Sequence, residues 1–351
     1  MQDGARGWSG PGRESGGWHA PRPGCGRSRL TRWLLALGLS LGLVACGEPV
    51  KPPLAVGVNT WVGYDPLVLA RDRGLADARQ LKVVELISSA EALRNLRNGL
   101  LDAAALTLDE TLRLVDSGFD VRIVALLDTS AGADMVLAAP RITALQKLRG
   151  ESIAVEEATV GALMLERLLQ KAGLARTDVT VVQMEATQHM TALLSDRVAA
   201  AISYAPVDGP IRAAGFRSIF DSREMPGDIV DVLVVRTEVL KQRPKAVDAL
   251  LAAWSAGLDV MRLDPMGAAA SLAPGADLSA AQYQAVLGGL RFYSPEESLA
   301  QLQGDPPELA RQGEEVARLL IDLKLLSQPP RWAGLIDTAP AARAAQAGSA
   351  R

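Results

Sequence analysis

The chain has 351 residues, a formal net charge of −3 and only 4% aromatic residues. Six arginines against two acids precede Cys46, so the remainder carries a formal −7, which argues against a protein that grips nucleic acid through clustered Lys and Arg. The part after Cys46, about 300 residues, is long enough to bury a substantial core as one large or two smaller domains.

Residues 1–29 are rich in Gly and Arg and poor in aliphatic side chains, so they cannot bury a core and read as an extended leader or a mis-assigned start. After Arg27, Arg29 and Arg32 comes the apolar run WLLALGLSLGLVA, from Trp33 to Ala45. It is too short to cross a hydrocarbon core of about 30 Å as a helix, and it has the length of a signal-peptide apolar region. It ends in Leu43-Val44-Ala45-Cys46, which resembles the bacterial lipoprotein cleavage motif; Cys46 would then become a lipid-bearing N-terminus. The expected division is a leader and signal peptide over 1–45 and a tether over 46–53. Cys25 and His19 fall in the leader, leaving Cys46 and His189. A disulfide, a multi-Cys metal site and a Cys-His nucleophilic pair are therefore not expected, and neither is a cofactor.

From Leu54 the pattern alternates between strand and helix. Leu54 to Val58 reads as a buried strand, Asn59 to Tyr64 as a loop with two aromatics, and the stretch from Pro66 as a helix, Pro being suited to the first helical turn. Leu81–Ile87, Asp102–Thr107, Val121–Leu127 and Met135–Ala139 read as further strands. The helix after Ser88-Ser89 carries Leu93, Leu96 and Leu100, and another runs Asp109–Val115. A second round places strands at Ser152–Val155, Val179–Met184, Ala199–Ser203 and Arg217–Phe220, with helices at Thr143–Leu148, Thr159–Ala172, Thr187–Leu194 and Pro206–Ala214. Ile229–Val235 is a β-branched run leading back toward the first sheet. Helical patterns follow at Ala246–Met261, Ser279–Leu290, Pro295–Leu302 and Leu309–Leu323, and residues 338–351 read as a frayed tail. Such alternation predicts an α/β fold with largely parallel sheets covered on both faces.

In an open α/β sheet ligands sit beyond the carboxyl ends of the strands, which puts Asn59, Trp61 and Tyr64 at a pocket rim, unless the two aromatics only cover the sheet end. Ser88 and Ser89, Thr107 and Asp109, Ser130 and Asp134, Glu157 and Thr159, and Tyr204 occupy comparable positions. Thr107 could equally cap a helix, and His189 is expected at the surface.

The order of lipoprotein motif, VGVNTWVGYDPLVLARDRGL, ALRNLRNGLLDAAALT, DTSAGADMVLA and LRGESIAVEEATVGALMLERLL resembles the solute-binding proteins of ABC importers for nitrate, sulfonates, taurine and the thiamine pyrimidine precursor (NMT1-like), over about Leu54 to Leu326. The resemblance implies a type II periplasmic binding protein fold: lobe 1 from 54–139 and 235–337, lobe 2 from 140–234, and a hinge near Ala138–Arg141 and Asp231–Arg236. It implies a monomer that closes on a small-molecule ligand, performs no chemistry, partners an ABC permease and ATPase, and is held by its lipid on the periplasmic side of a bacterial membrane. A receptor feeding a sensor kinase is one alternative. A pyrimidine-synthase-like enzyme of the same fold is another, although the Cys cluster it would need is missing.

Lys and Arg are missing from the predicted strand-end loops, whereas Asp109, Asp128, Asp134, Glu156, Glu157 and Glu185 crowd them. Carboxylates left unpaired in a cleft repel a sulfonate or nitrate and favour a cationic or nitrogen-rich ligand such as a pyrimidine or amine, with Trp61, Tyr64 and Tyr204 as stacking faces. Helix N-termini are the counter-argument, because their free N–H groups attract anions.

Overall fold

The computed structural model describes residues 51–157 and 160–349, so the leader, the lipoprotein motif with Cys46, and Thr159 lie outside the described residues. In chain order the elements are β1 (Leu54–Val58), α1 (Asp65–Asp72), β2 (Leu81–Glu85), α2 (Ser89–Arg97), β3 (Ala103–Thr107), α3 (Leu108–Asp116), β4 (Val121–Ser130) and β5 (Asp134–Ala138). Next come β6 (Ser152–Val155), α4 (Gly161–Ala172), β7 (Thr180–Gln183), α5 (His189–Leu194), β8 (Ala200–Tyr204), α6 (Asp208–Ala213), β9 (Arg217–Asp221) and β10 (Val230–Arg236). The chain ends with α7 (Thr237–Gln242), α8 (Pro244–Leu263), α9 (Pro265–Leu272), α10 (Ala280–Leu287), β11 (Leu290–Phe292), α11 (Pro295–Leu302), α12 (Glu308–Asp322), α13 (Trp332–Leu335) and α14 (Ala339–Ser349). Among the described residues no helix is long and apolar enough to cross a membrane.

The strands form two sheets, one ordered β11-β4-β10-β3-β1-β2 and the other β7-β6-β8-β5-β9. In each, one strand runs against its neighbours near the middle: β10 is antiparallel to β3 and β4, and β5 is antiparallel to β8 and β9. Most strands still point one way, as expected, but the reading of largely parallel pairing misses these central strands. They also move the lobe boundaries. Met135–Ala139 was expected in lobe 1, yet β5 pairs inside the second sheet; Asp231–Val234 was expected in lobe 2, yet β10 pairs inside the first. The chain therefore crosses around 131–133 and 222–229, not at Ala138–Arg141 and Asp231–Arg236. Strand pairing over such distances is not written in local periodicity, which explains the displacement.

Side chains alternate across the central strands. Val232 and Val234 of β10 and Ala104 and Leu106 of β3 enter one core, with Leu112 of α3 and Leu320 of α12; Leu233, Val235, Ala103 and Ala105 enter another, under α1 and α8. The first core continues into the second sheet through Val155, Leu163 and Leu168. Helix α8 lies so close to α1 that a Cβ on Gly257 would meet the Pro66 carbonyl oxygen at 1.9 Å, so only Gly fits there.

Two other expectations change. Of the tail expected over 338–351, Ala339–Ser349 forms α14, with Ala341 buried and Arg343 paired to Asp248 of α8 at 2.8 Å, so this part packs on lobe 1 rather than fraying. His189 is buried, not superficial, because His189, Ala192 and Leu193 share the inner face of α5 against Met184.

Candidate functional site

Between the lobes lies a narrow cleft. Lobe 1 supplies Asn59, Trp61, Tyr64, Ser89, Thr107, Glu110 and Asp231, lobe 2 supplies Asp134, Glu156, Val160 and Tyr204, and Ile229 comes from a crossing. Its aromatic wall begins where β1 ends. Asn59 Oδ1 accepts from the Trp61 backbone N–H at 2.9 Å, and Asn59 Nδ2 donates to Ser89 Oγ at 2.7 Å, so one amide ties the β1 loop to the start of α2. The Trp61 indole N–H then reaches Asp128 Oδ1 at 3.2 Å. That approach depends on Gly63, whose added Cβ would meet Trp61 Nε1 at 2.2 Å and Asp128 Oδ2 at 2.3 Å. Across the cleft Tyr204, at the end of β8, meets Trp61 edge-on at 6.1 Å between ring centroids, and its hydroxyl lies 3.4 Å from Thr60 Oγ1. A second contact between the lobes runs from Arg113 Nη1 of α3 to the Glu157 carbonyl oxygen at 3.3 Å. The lobes are therefore in contact around the cleft.

The cleft floor is acidic and buried. Asp128 and Asp231 are paired residues of β4 and β10, and both are buried. Tyr64 donates to Asp231 Oδ1 at 2.5 Å. Burial pushes Asp231 well above the ordinary carboxyl range, and the negative charge of Asp128 adds to it. Asp128 is itself raised by burial to about 7, against the Trp61 hydrogen bond that favours its charge. Asp134 opens β5, where it pairs with Tyr204 in register and donates its backbone N–H to Ser130 Oγ at 3.1 Å. Burial raises its carboxyl to about 7, and its Oδ2 has no hydrogen-bond partner. Glu110 reaches about 8, from burial and then the charge of Asp109, even though its Oε2 accepts the Thr107 backbone N–H at 3.1 Å. Glu156 reaches about 7 through burial and the nearby charge of Glu185. Among the described residues no Lys or Arg lines the cleft. Each carboxyl is displaced because water is excluded and no cation replaces it.

The expected residues divide accordingly. Asn59, Trp61, Tyr64, Ser89, Thr107, Asp134 and Tyr204 come together on the cleft wall. Ser88 caps α2 by accepting the Glu91 N–H at 3.3 Å, and Asp109 lies buried behind the wall with the Thr107 hydroxyl donating to it at 2.6 Å. Ser130 joins the two crossings: it lies 2.8 Å from Ser222 Oγ, which in turn accepts the Gly132 N–H at 2.7 Å. The Glu157 carboxylate pairs with Arg176 instead of lining the cleft. Glu110, Val160, Ile229 and Asp231 line the cleft without having been expected there, and Glu156 was expected only as one of the strand-end acids. Asp231 carries the one signal available, a lone acid inside the run IVDVLVV; Glu110 closes a capping box with Thr107, a spacing that reads as a helix start and nothing more. That box also occupies N–H groups of α3 that an anion would otherwise use.

A sequence profile described as the NMT1-like family matches residues 47–273. A protein of Brucella abortus (strain 2308) named as a binding protein is 26% identical over 253 residues, covering 67% of this chain and 75% of its own. Among solved structures, the periplasmic aliphatic sulphonate binding protein SsuA from Escherichia coli superposes with a TM-score of 0.69 at 19% identity, covering 82% of this chain and 92% of that one. The periplasmic nitrate-binding protein NrtA from Synechocystis PCC 6803 gives 0.70 at 13% identity, with 86% and 90% covered. The desulfurization enzyme DSZB gives 0.65 at 17% identity, with 85% and 100% covered. At these identities the structures establish the two-lobed periplasmic binding protein fold and leave the ligand to be argued from the cleft.

Proposed function

The chain belongs to the NMT1-like family, and from that premise we propose that it is a solute-binding protein of an ABC importer whose cleft takes a positively charged or nitrogen-rich small molecule. The observation that carries the ligand class is Asp134: a carboxyl 3% exposed, on the cleft wall, with one oxygen lacking any partner, in a pocket that holds Glu110, Glu156 and Asp231 and, among the described residues, no basic side chain. An N–H-bearing cation there replaces lost solvation and lets the carboxyls ionise, whereas a sulfonate or nitrate meets repulsion. Trp61 and Tyr204 add ring faces worth about 0.5–2 kcal/mol each to a cation. Binding works by closure: contacts from both lobes exist together only in the closed state, so ligand shifts the population toward it. We read the protein as a binder without chemistry, although DSZB shows that an enzyme can share the fold. On the strength of the lipoprotein motif we read it as anchored through Cys46 on the periplasmic side of a bacterial membrane, and as a monomer that hands its ligand to a permease.

The test is a thermal-shift screen of the purified protein against amines, amidines, pyrimidines, alkanesulfonates, taurine and nitrate. A ligand that binds only the folded state at a hundred times its Kd adds about 2.7 kcal/mol of stability. A response to amines or pyrimidines supports the reading, and a response confined to anions refutes it. Analysis of any responding compound after incubation separates binder from enzyme, since a binder returns it unchanged. Replacing Cys46 with Ser releases the protein from membranes if the anchor is real; persistent membrane attachment refutes it.

A further inference from the structure

Two acids on the cleft wall, one from each lobe, each bury an oxygen that accepts no hydrogen bond: Glu110 Oε1 from lobe 1 and Asp134 Oδ2 from lobe 2. Both residues are held in place. Glu110 closes the capping box of α3, its other oxygen accepting the Thr107 N–H at 3.1 Å while its own N–H reaches Thr107 Oγ1 at 3.4 Å. Asp134 lies in register with Tyr204, and the Ser130 hydroxyl that accepts its N–H at 3.1 Å is itself 2.8 Å from Ser222 Oγ. Donors of the same wall are committed elsewhere: the Trp61 indole to Asp128, the Tyr64 hydroxyl to Asp231 and the Thr107 hydroxyl to Asp109. Nor do the rings form a cage. Trp61 and Tyr204 meet edge to face, their planes at 70° and their centroids 6.1 Å apart, and so fill space that the alkyl groups of a fully substituted ammonium would need.

Resting on the reading that the cleft takes positively charged or nitrogen-rich solutes, we propose that it recognises one charged nitrogen centre bearing at least two N–H bonds, a primary ammonium or a guanidinium, and rejects the same cation fully alkylated. One N–H donates to Glu110 Oε1 and another to Asp134 Oδ2, so a single charged group spans both lobes and its binding is tied to their closure. A trimethylammonium brings the same charge and no donor, and it leaves both oxygens desolvated and unpaired. Selection therefore comes from what the alkylated cation fails to satisfy.

The test is calorimetric titration of the purified protein at about pH 8, above the ordinary carboxyl range and below that of an amine. The probes are butylammonium, butylguanidinium, butyltrimethylammonium, an aminopyrimidine, ethanesulfonate and nitrate. Butylammonium or butylguanidinium is expected to bind at least about tenfold more tightly than butyltrimethylammonium. In Asp134→Asn and in Glu110→Gln, where an amide replaces one charged acceptor, that preference narrows; a preference unchanged in both variants overturns the assignment to these two oxygens. Butyltrimethylammonium binding as tightly as the N–H-bearing cations overturns the proposal and leaves the cationic reading of the cleft standing. Binding of the aminopyrimidine with every cation silent also overturns it and leaves the nitrogen-rich class; binding of ethanesulfonate or nitrate alone, or of no probe, removes both. The wild-type ranking decides the matter even if neither variant folds.

Discussion

Replacing Asp134 by Asn tests whether that carboxyl is as buried as its geometry requires. Burial lifts this carboxyl from an ordinary 3.8 to about 7. In the unfolded chain it ionises near its ordinary value, whereas the folded protein holds the proton until about 7. The stabilisation is thus fully present below the unfolded value, declines as pH rises between the two, and is gone above the folded one. A shift of about three units corresponds to about 4 kcal/mol across that window. For a protein of this size, 1 kcal/mol moves the Tm by about 2–4 °C. Asn has no proton to lose, so the fall in Tm between pH 4.5 and 8 should be smaller in Asp134→Asn than in the wild type by about 8 °C or more, read by differential scanning calorimetry without ligand. His189 works in the opposite sense: burial depresses it to about 4, so its stabilising contribution is lost as pH falls from 6.5. It is common to both proteins and cancels in the comparison. Parallel Tm curves for the two proteins would refute the argument, since they would mean that Asp134 titrates like a solvated carboxyl.

The same groups set the pH dependence of binding. With Asp128, Asp134 and Glu156 near 7 and Glu110 near 8, amine affinity should strengthen from pH 6 to 8, with proton release visible as buffer-dependent heat; affinity that weakens over that range points to an anion. Trp61→Ala should weaken binding and also cost about 3–5 kcal/mol of stability in urea unfolding, because the indole is buried and bonded to Asp128; unchanged stability contradicts that packing. Gly257→Ala should lower stability by about 1–3 kcal/mol by forcing α8 away from α1, and an unchanged Tm means the two backbones are not in contact.

Local pattern carried much of this architecture. The stretch Leu54 to Leu75 reads as strand, aromatic loop and Pro-started helix, and it folds so, with Trp61 and Tyr64 on the cleft. The Ala-rich end looked featureless because α14 has little polar contrast, although α8 and α11 give it a surface to cover. His189 was misjudged although its spacing to Ala192 and Leu193 marks a buried face. The acids were legible as a group but not as individuals. Asp128 looked like a loop residue because β4 was expected to stop at Leu127, whereas it runs to Ser130 and turns that acid toward Asp231. Which carboxyls converge depends on β10 inserting between β3 and β4, a pairing that no local signal announces.

That insertion also orders events during folding. Every strand of lobe 2 lies between β4 and β10 in sequence, so the first sheet keeps a gap between β3 and β4 until a strand from beyond the whole of lobe 2 returns to it. Thr107 must wait for Asp231, and such distant pairing is intrinsically slow. When β10 finally fills the gap it sets Asp231 against Asp128 and Tyr64 in the same step. Without β10 the first sheet is split and the cleft lacks Asp231, although every strand of the second sheet precedes it in the chain.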